Sequence, residues 1–345
     1  QMRIGTGTYL CSGSLINNTA GDLKPYILTA AHCLNNGKKT ATDQELAQWI
    51  FIFNYEKSGC SNSSDLKEHF SVTGCKNIAA IPLDQGSDGL LLLLTQPFSS
   101  PEKIYYNGWD RRNTPASSGV CIHHPSGDVK KISTFTSPAV HFTWVTSSES
   151  GAPNAHWDVL FSATSNGYGI TEGGSSGSPL FNQDNLIVGT LTGGNSDCSY
   201  PQGHNVYGKL YSHWDQYAVA STRRMDIYLD PLQTGATTWP GCYFSEKILT
   251  PLHLIAVPSA ERADLLWEKP AYYETPVQYR IYRNDIKIGT TEECVYSDFP
   301  EKGQNTYYIT AVYTGGRESI PSLPVSVSGI RTASVAPVSY THLTL

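Results

Sequence analysis

The 345-residue sequence has no uninterrupted apolar run approaching the roughly 20 residues that a membrane-crossing helix requires. Its strongest, Leu90–Leu94, is strand-sized, so no bilayer-spanning helix is expected. Charge is also scarce. Charged residues make up 16%, and 24 Lys plus Arg face 30 Asp plus Glu, a formal net charge of -6. A chain with no positive excess is not built for predominantly electrostatic nucleic-acid binding, and no nucleic-acid partner is expected. The eight cysteines contain no CxxC pair, which removes the usual zinc framework. No signal peptide stands at Gln1, and its position directly before Ile4-Gly5-Thr6-Gly7 leads to the expectation that an N-terminal segment is missing.

Glycine, proline and tyrosine are plentiful at 30, 20 and 21 residues, beside 39% apolar residues. That mixture describes an ordered, loop-rich β protein long enough for two or three domains. Cys11 and Cys33 bracket a segment of alternating character, which favours an oxidised, secreted or extracellular chain over a zinc site.

Short β-like stretches run from Gly7–Ile16 through Leu90–Leu94, and again from Gly119–His123 to Val206–Tyr211, with a crossover near 101–113. A short helix is expected around Trp214–Ala220. These elements make a first unit over 1–240. A turn-rich linker, 241–249, leads to a second unit at 250–330 with six or seven short antiparallel strands, and 331–345 form a polar tail. Tyr279, Tyr282, Tyr307, Tyr308 and Tyr313 are assigned to packing in that second unit.

Three separated signals carry chemistry. Leu28-Thr29-Ala30-Ala31-His32-Cys33 ends a strand on a histidine, Gly86-Ser87-Asp88 precedes the five leucines, and Gly174-Ser175-Ser176-Gly177-Ser178-Pro179 is a glycine-rich turn. A serine hydroxyl is a weak nucleophile near neutral pH, so Ser176 needs His32 to take its proton as it attacks a carbonyl. Asp88 would orient that imidazole and favour its cationic form. Glycines around Ser176 permit a tight turn that aims the N–H groups of Gly174 and Ser176 at a developing oxyanion. Each piece alone has an ordinary structural reading. Together, in the order His, Asp, Ser, they point to nucleophilic hydrolysis that requires no metal and no cofactor.

With these motifs in place, the sequence resembles the chymotrypsin-like serine peptidases, in the lysyl endopeptidase branch. Further matching stretches are Cys11-Ser12-Gly13-Ser14-Leu15-Ile16-Asn17-Asn18-Thr19-Ala20, Gly108-Trp109-Asp110-Arg111-Arg112, Ile122-His123-His124-Pro125 and Leu229-Asp230-Pro231. The resemblance covers about residues 5–240. It implies an all-β fold of two perpendicular β-barrels, with His32 and Asp88 from the first and Ser176 and most of the specificity pocket from the second. It also implies a Cys11–Cys33 disulfide beside the histidine, and pairs Cys60 and Cys198 with cysteines of an N-terminal segment.

Gly189-Thr190-Leu191-Thr192-Gly193-Gly194 looks like the strand that pairs with substrate backbone. The resemblance places Ile170 and Thr171 at the pocket base, Thr192, Gly193 and Gly194 along a wall beside Trp144, and His204 and Asn205 on the returning loop. Where lysyl endopeptidases carry an aspartate for the substrate ammonium, this chain has Asn205, which offers an amide and no charge. Strict lysine selectivity is therefore not expected.

Trp267, Tyr279–Asn284, Tyr296-Ser297-Asp298 and Tyr307–Ala311 resemble a fibronectin type III domain. The implied β-sandwich would offer a surface for an extracellular partner or hold the chain near a cell surface. The reading is a secreted serine endopeptidase acting on peptide or protein substrates through an acyl-enzyme. An extracellular adhesion or binding scaffold with an inactive protease-like domain is the competing reading.

Overall fold

The computed structural model describes residues 1–329 apart from 62, 97, 99–103, 218–219, 221–222, 245–248, 260 and 271–274. The expected tail, 331–345, lies outside the described residues, as do parts of the expected crossover and linker. The chain divides into two units, Gln1–Lys247 and Ile248–Leu345.

In the first part of unit 1, β1 (Ser14–Leu15), β2 (Tyr26–Ala30), β5 (Cys75–Ile81) and β6 (Gly89–Leu94) form one antiparallel sheet in the order β1-β2-β6-β5. Between β2 and β5 in the chain, β3 (Ile50–Phe53) and β4 (Phe70–Thr73) pair only with each other. The leucine run becomes β6 because it is covered on both faces: Leu90, Leu91, Leu92 and Leu94 are all buried.

The second part is one larger sheet of nine strands. It takes in β7 (Trp109–Asp110), β8 (Gly119–His123), β9 (Lys131–Phe135), β10 (Val140–Phe142), β11 (His156–Leu160), β12 (Pro179–Asn182), β13 (Ile187–Gly194), β14 (His204–Lys209) and β15 (Thr238–Trp239). The order is β9-β8-β12-β13-β14-β11-β10, with β7 joined to β13 and β15.

This corrects the expectation of two perpendicular barrels. The fold is almost entirely β, but among the described residues no sheet closes on itself. At the rim of the large sheet, isolated bonds stand where a ladder would have to run. Ser162 N–H donates to Thr134 O, Thr136 N–H reaches the Ser162 hydroxyl, and Ala139 N–H reaches Ala116 O. In the first part, Gly74, with φ 89°, separates β4 from β5, so the β3–β4 pair stays outside the four-stranded sheet.

A shared core places the two parts of unit 1 against each other. Ile16, Tyr26, Leu28, Ile81 and Leu91 from the first pack with Trp109, Phe181, Ile187 and Leu210 from the second. The Trp109 indole N–H donates to Asn17 O at 2.9 Å. Arg111 lies 4.8 Å over the Trp214 ring, and Arg112 pairs with Asp110 at 2.6 Å. The helix expected at Trp214–Ala220 occurs earlier, as Leu210–Trp214, continuing straight from β14.

Unit 2 holds two sheets. β16 (Leu252–Pro258), β17 (Ala263–Glu268) and β20 (Val295–Asp298) form one; β18 (Gln278–Arg283), β19 (Ile286–Thr291), β21 (Gly303–Val312) and β22 (Val325–Gly329) form the other, in the order β19-β18-β21-β22. Alternation along β18 buries Tyr279 and Ile281, and Trp267 of β17 meets Tyr279 edge to face at 5.3 Å. Tyr307 and Tyr313 are buried as well, which is the packing role read from the sequence, while Tyr282 and Tyr308 stack on each other at 4.8 Å.

Candidate active site

His32 sits in a single 3₁₀ turn, Ala31–Leu34, at the end of β2, and Asp88 occupies the turn that opens β6. These strands pair so that Ala30 lies opposite Gly89, which brings the two turns together. Asp88 Oδ2 is 2.7 Å from His32 Nδ1, and Asp88 Oδ1 accepts the His32 backbone N–H at 2.8 Å. Asp88 is fully buried and held with a left-handed backbone, φ 64°. Both ends of its backbone are tied: its N–H donates to Pro82 O, and its C=O accepts from Ala31 N–H.

The electrostatics follow from that burial. Desolvation would raise the Asp88 pKa, but the His32 charge and hydrogen bonds outweigh it and hold it below the usual range. For His32, burial acts to lower the pKa; the Asp88 charge and hydrogen bond, with a smaller contribution from Glu149, more than offset it and leave it raised. The Thr192 hydroxyl lies beside the Asp88 carboxylate and contributes to lowering its pKa, although no hydrogen bond of ordinary geometry joins them.

Behind Asp88 lie two buried histidines that sequence reading missed. His213 bridges Ser87 Oγ at 2.8 Å and Thr190 Oγ1 at 3.0 Å, and burial pushes its pKa down to about 3. His156 has no partner for either ring nitrogen among the described residues, and burial pushes its pKa down to about 4. Both stay neutral around pH 7, so they add no positive charge beside the carboxylate.

The loop Gly173–Gly177 precedes β12. Gly174 has φ 94°, and a Cβ there would meet His124 O at 2.9 Å. Gly177 packs tighter still, since a Cβ would fall 2.0 Å from Thr29 Oγ1. Only glycine lets this loop lie against β2. His123, buried with a pKa lowered by burial to about 4, joins Ser175 Oγ at 2.8 Å to Ser133 Oγ at 3.0 Å, so it supports the loop as a hydrogen-bonded core residue. The N–H groups of Gly174 and Ser176 have no partner among the described residues, and Ser176 is half-buried. Its hydroxyl makes no hydrogen bond to His32 among the described contacts.

The structure divides the remaining sequence-selected residues into three groups. Trp144 covers Gly193: a Cβ at Gly193 would lie 2.9 Å from the indole, and Gly194 continues the same strand. Thr171 and Ser196 both donate to Asn205 Oδ1 at 2.7 Å, while Asn205 Nδ2 donates to Gly203 O, so Asn205 is buried with its amide engaged. Ile170 is half-buried beside this group, its C=O reached by Ser133 Oγ at 3.5 Å. His204 pairs with Asp158, with Nδ1 2.6 Å from Oδ2.

The Cys11–Cys33 disulfide implied by the resemblance is present. Cys11, His32 and Cys33 lie within 4.8 Å of one another by their ligand atoms, but the two sulfurs are joined and provide no thiolate for a metal. Cys60 and Cys198 are both exposed.

If His32 acts as a base it must be neutral, so activity should rise with pH through its pKa. Because that pKa is raised, the acid limb of kcat/KM is expected above the ordinary histidine value of about 6.5. A pH–rate profile with its acid limb below that value would contradict the arrangement.

The family profile for the C-terminal domain of lysyl endopeptidase matches residues 1–208. The lysyl endopeptidase of Pseudomonas aeruginosa is 31% identical over 225 residues, 61% of this chain and 44% of that protein. The chain thus spans less than half the length of that relative. Among solved structures, a thermostable serine protease from an extremophilic microorganism is 14% identical with a TM-score of 0.40, covering 60% of this chain and 88% of that one. A Glu endopeptidase is 15% identical with a TM-score of 0.35, covering 60% and 82%.

Proposed function

The chain belongs to the lysyl endopeptidase family, and from that premise we propose that it is a secreted serine endopeptidase working through an acyl-enzyme on Ser176. The observation that carries this reading is the His32–Asp88 pair at the end of β2, with a loop packed on Thr29 and Ala30 of that strand whose Gly174 and Ser176 N–H groups have no partner among the described residues. In this reading His32 accepts the Ser176 proton as the oxygen attacks the scissile carbonyl, and Asp88 holds the imidazole tautomer and stabilises its cation. Gly174 and Ser176 N–H donate to the oxyanion. His32 then protonates the leaving amine, and later activates water to release the acyl group.

Secretion is supported by the disulfide, and no helix among the described residues is long and apolar enough to cross a membrane. The second unit is proposed to be fibronectin type III-like and to meet an extracellular partner. The absence of a hydrogen bond from the Ser176 hydroxyl among the described residues favours the inactive-scaffold reading. Both readings meet one experiment: an organophosphonate should add to Ser176 of the folded chain, read by intact mass and peptide mapping. Folded protein that takes no adduct favours the scaffold.

For specificity, the proposed pocket is Trp144, Ile170, Thr171, Thr192, Gly193, Gly194, His204 and Asn205. Asn205 supplies no charge, so lysine is not expected to be strongly preferred at P1. Asn205→Asp would keep the acceptor for Thr171 and Ser196, lose the donation to Gly203 O and add a carboxylate. A gain of about 10-fold or more in kcat/KM for P1 lysine over P1 glutamine is the expected result. Peptide-library digestion with cleavage sites read by mass spectrometry measures it, and an unchanged ratio would remove Asn205 from the pocket.

A further inference from the structure

We propose that Ser12 is a positioning residue for the oxyanion peptide, acting through its hydroxyl on Gly174; this rests on the reading of Ser176 as the nucleophile. Ser12 follows Cys11 of the disulfide and is 6% exposed. Its hydroxyl is used in both directions. It accepts the His124 N–H at 3.0 Å and donates to Gly174 O at 2.9 Å. Its backbone is engaged too, the N–H donating to Ser176 O at 2.8 Å and the C=O accepting the Thr29 hydroxyl at 2.8 Å. The hydroxyl therefore joins the end of β8 to Gly174, while the Ser12 backbone joins the Thr29 segment beside His32 to Ser176.

The peptide geometry explains why the hydroxyl matters. The Gly174 N–H belongs to the peptide plane shared with Gly173, and that plane is held by Ser126 N–H donating to Gly173 O at 2.6 Å. Because N–H and C=O of one plane point in opposite directions, holding Gly173 O on one side aims the Gly174 N–H to the other. Gly174 itself has φ 94° and no side chain, so rotation about it meets little intrinsic resistance. The next plane, carrying Gly174 O, is the one Ser12 fixes. With both planes held from outside, the glycine between them has one orientation. Removing the Ser12 hydroxyl leaves the second plane held at one end, by Ser175 N–H donating to Glu172 O at 3.0 Å, and leaves a buried carbonyl without its Ser12 donor.

The test uses the full chain and the Ser12→Ala variant. Turnover of a chromogenic peptide should show kcat lowered about 10- to 100-fold with KM within about twofold, since a displaced oxyanion donor acts on the transition state. Affinity for a peptide boronate, which forms a tetrahedral adduct on the serine, should fall by the same factor, while affinity for a non-covalent product peptide holds. The acid limb of the pH profile should stay in place, because the His32–Asp88 pair is untouched. Ser14→Ala should leave all of these unchanged, since the Ser14 hydroxyl donates to Leu15 O, accepts from Asn107 Nδ2 and makes no bond to Gly173–Gly177 among the described residues.

Should Ser12→Ala fail to accumulate as folded protein, Ser12→Cys carries the same measurement with a weak donor of similar size. Turnover within twofold of wild type overturns the proposal, as does a parallel loss of boronate and product-peptide affinity, which is what a loosened fold would give. A folded wild-type chain with neither turnover nor phosphonate label overturns the nucleophile reading and the proposal with it.

Discussion

Replacing Ser176 by alanine is expected to lower kcat by about ten-thousand- to million-fold while the thermal midpoint and peptide affinity stay close to wild type. The large loss follows from the proposed chemistry: with no hydroxyl that mechanism has no acyl-enzyme, and what would remain is water attack aided by binding and the proposed oxyanion donors. The small structural effect follows from the environment. The Ser176 side chain makes no hydrogen bond among the described residues, and the loop is held instead through backbone and neighbours, by Ser12, Ser126 and His123. Alanine removes one oxygen from a half-buried position and leaves those anchors intact. Single-turnover kinetics with an ester substrate read the acylation step directly, and an acylation burst surviving in the variant would rule out Ser176 as the nucleophile.

The second large effect is Asp88→Asn, with a loss of about ten-thousand-fold in kcat near neutral pH. Asparagine is among the residues that tolerate the left-handed backbone at this position, so the turn should persist. Its amide oxygen can still accept the His32 backbone N–H. Its NH₂ group faces His32 Nδ1 as a donor, which selects the tautomer with the proton on Nε2, the wrong one for accepting a proton from Ser176. The pKa of His32 should also fall, because the charge and hydrogen bond that raise it are removed. Residual activity should therefore show its acid limb at lower pH than wild type. A loss of activity with the limb unmoved would mean that Asp88 only supports the turn.

The same pair has a sign in stability. The depressed Asp88 pKa favours the fold above the ordinary carboxylate range and loses that contribution as pH falls through its folded value. The raised His32 pKa favours the fold below about pH 6.5, and that contribution is lost as pH rises through its own folded value.

Much of this arrangement is legible in sequence because some of its signals are local. Ala30-Ala31-His32 and Gly174–Gly177 each carry their own turn chemistry, and the leucine run marks a fully covered strand next to Asp88. What is not legible depends on partners far away in the chain. His204 reads as a pocket residue, but nothing near it in sequence announces that Asp158, 46 positions earlier, holds its ring. Asn205 reads as an open amide, but Thr171 and Ser196 turn it into an internal acceptor. His213 has no motif around it, and its role comes from Ser87 and Thr190 converging on both nitrogens. The two barrels implied by the family resemblance do not close, for a related reason. Strand number and alternation predict sheets, but whether their rims meet depends on isolated contacts such as Ser162 with Thr134 and Thr136.

The distances along the chain also determine when the site first exists. His32 and Asp88 are 56 residues apart, but Ser12 reaches Gly174 across 162, and Gly177 N–H is fixed only by Leu191 O. A polypeptide still emerging from the ribosome therefore possesses its histidine and aspartate long before the serine has a strand to lean on. On the proposed reading, base and nucleophile therefore cannot be brought together before β13 has been made.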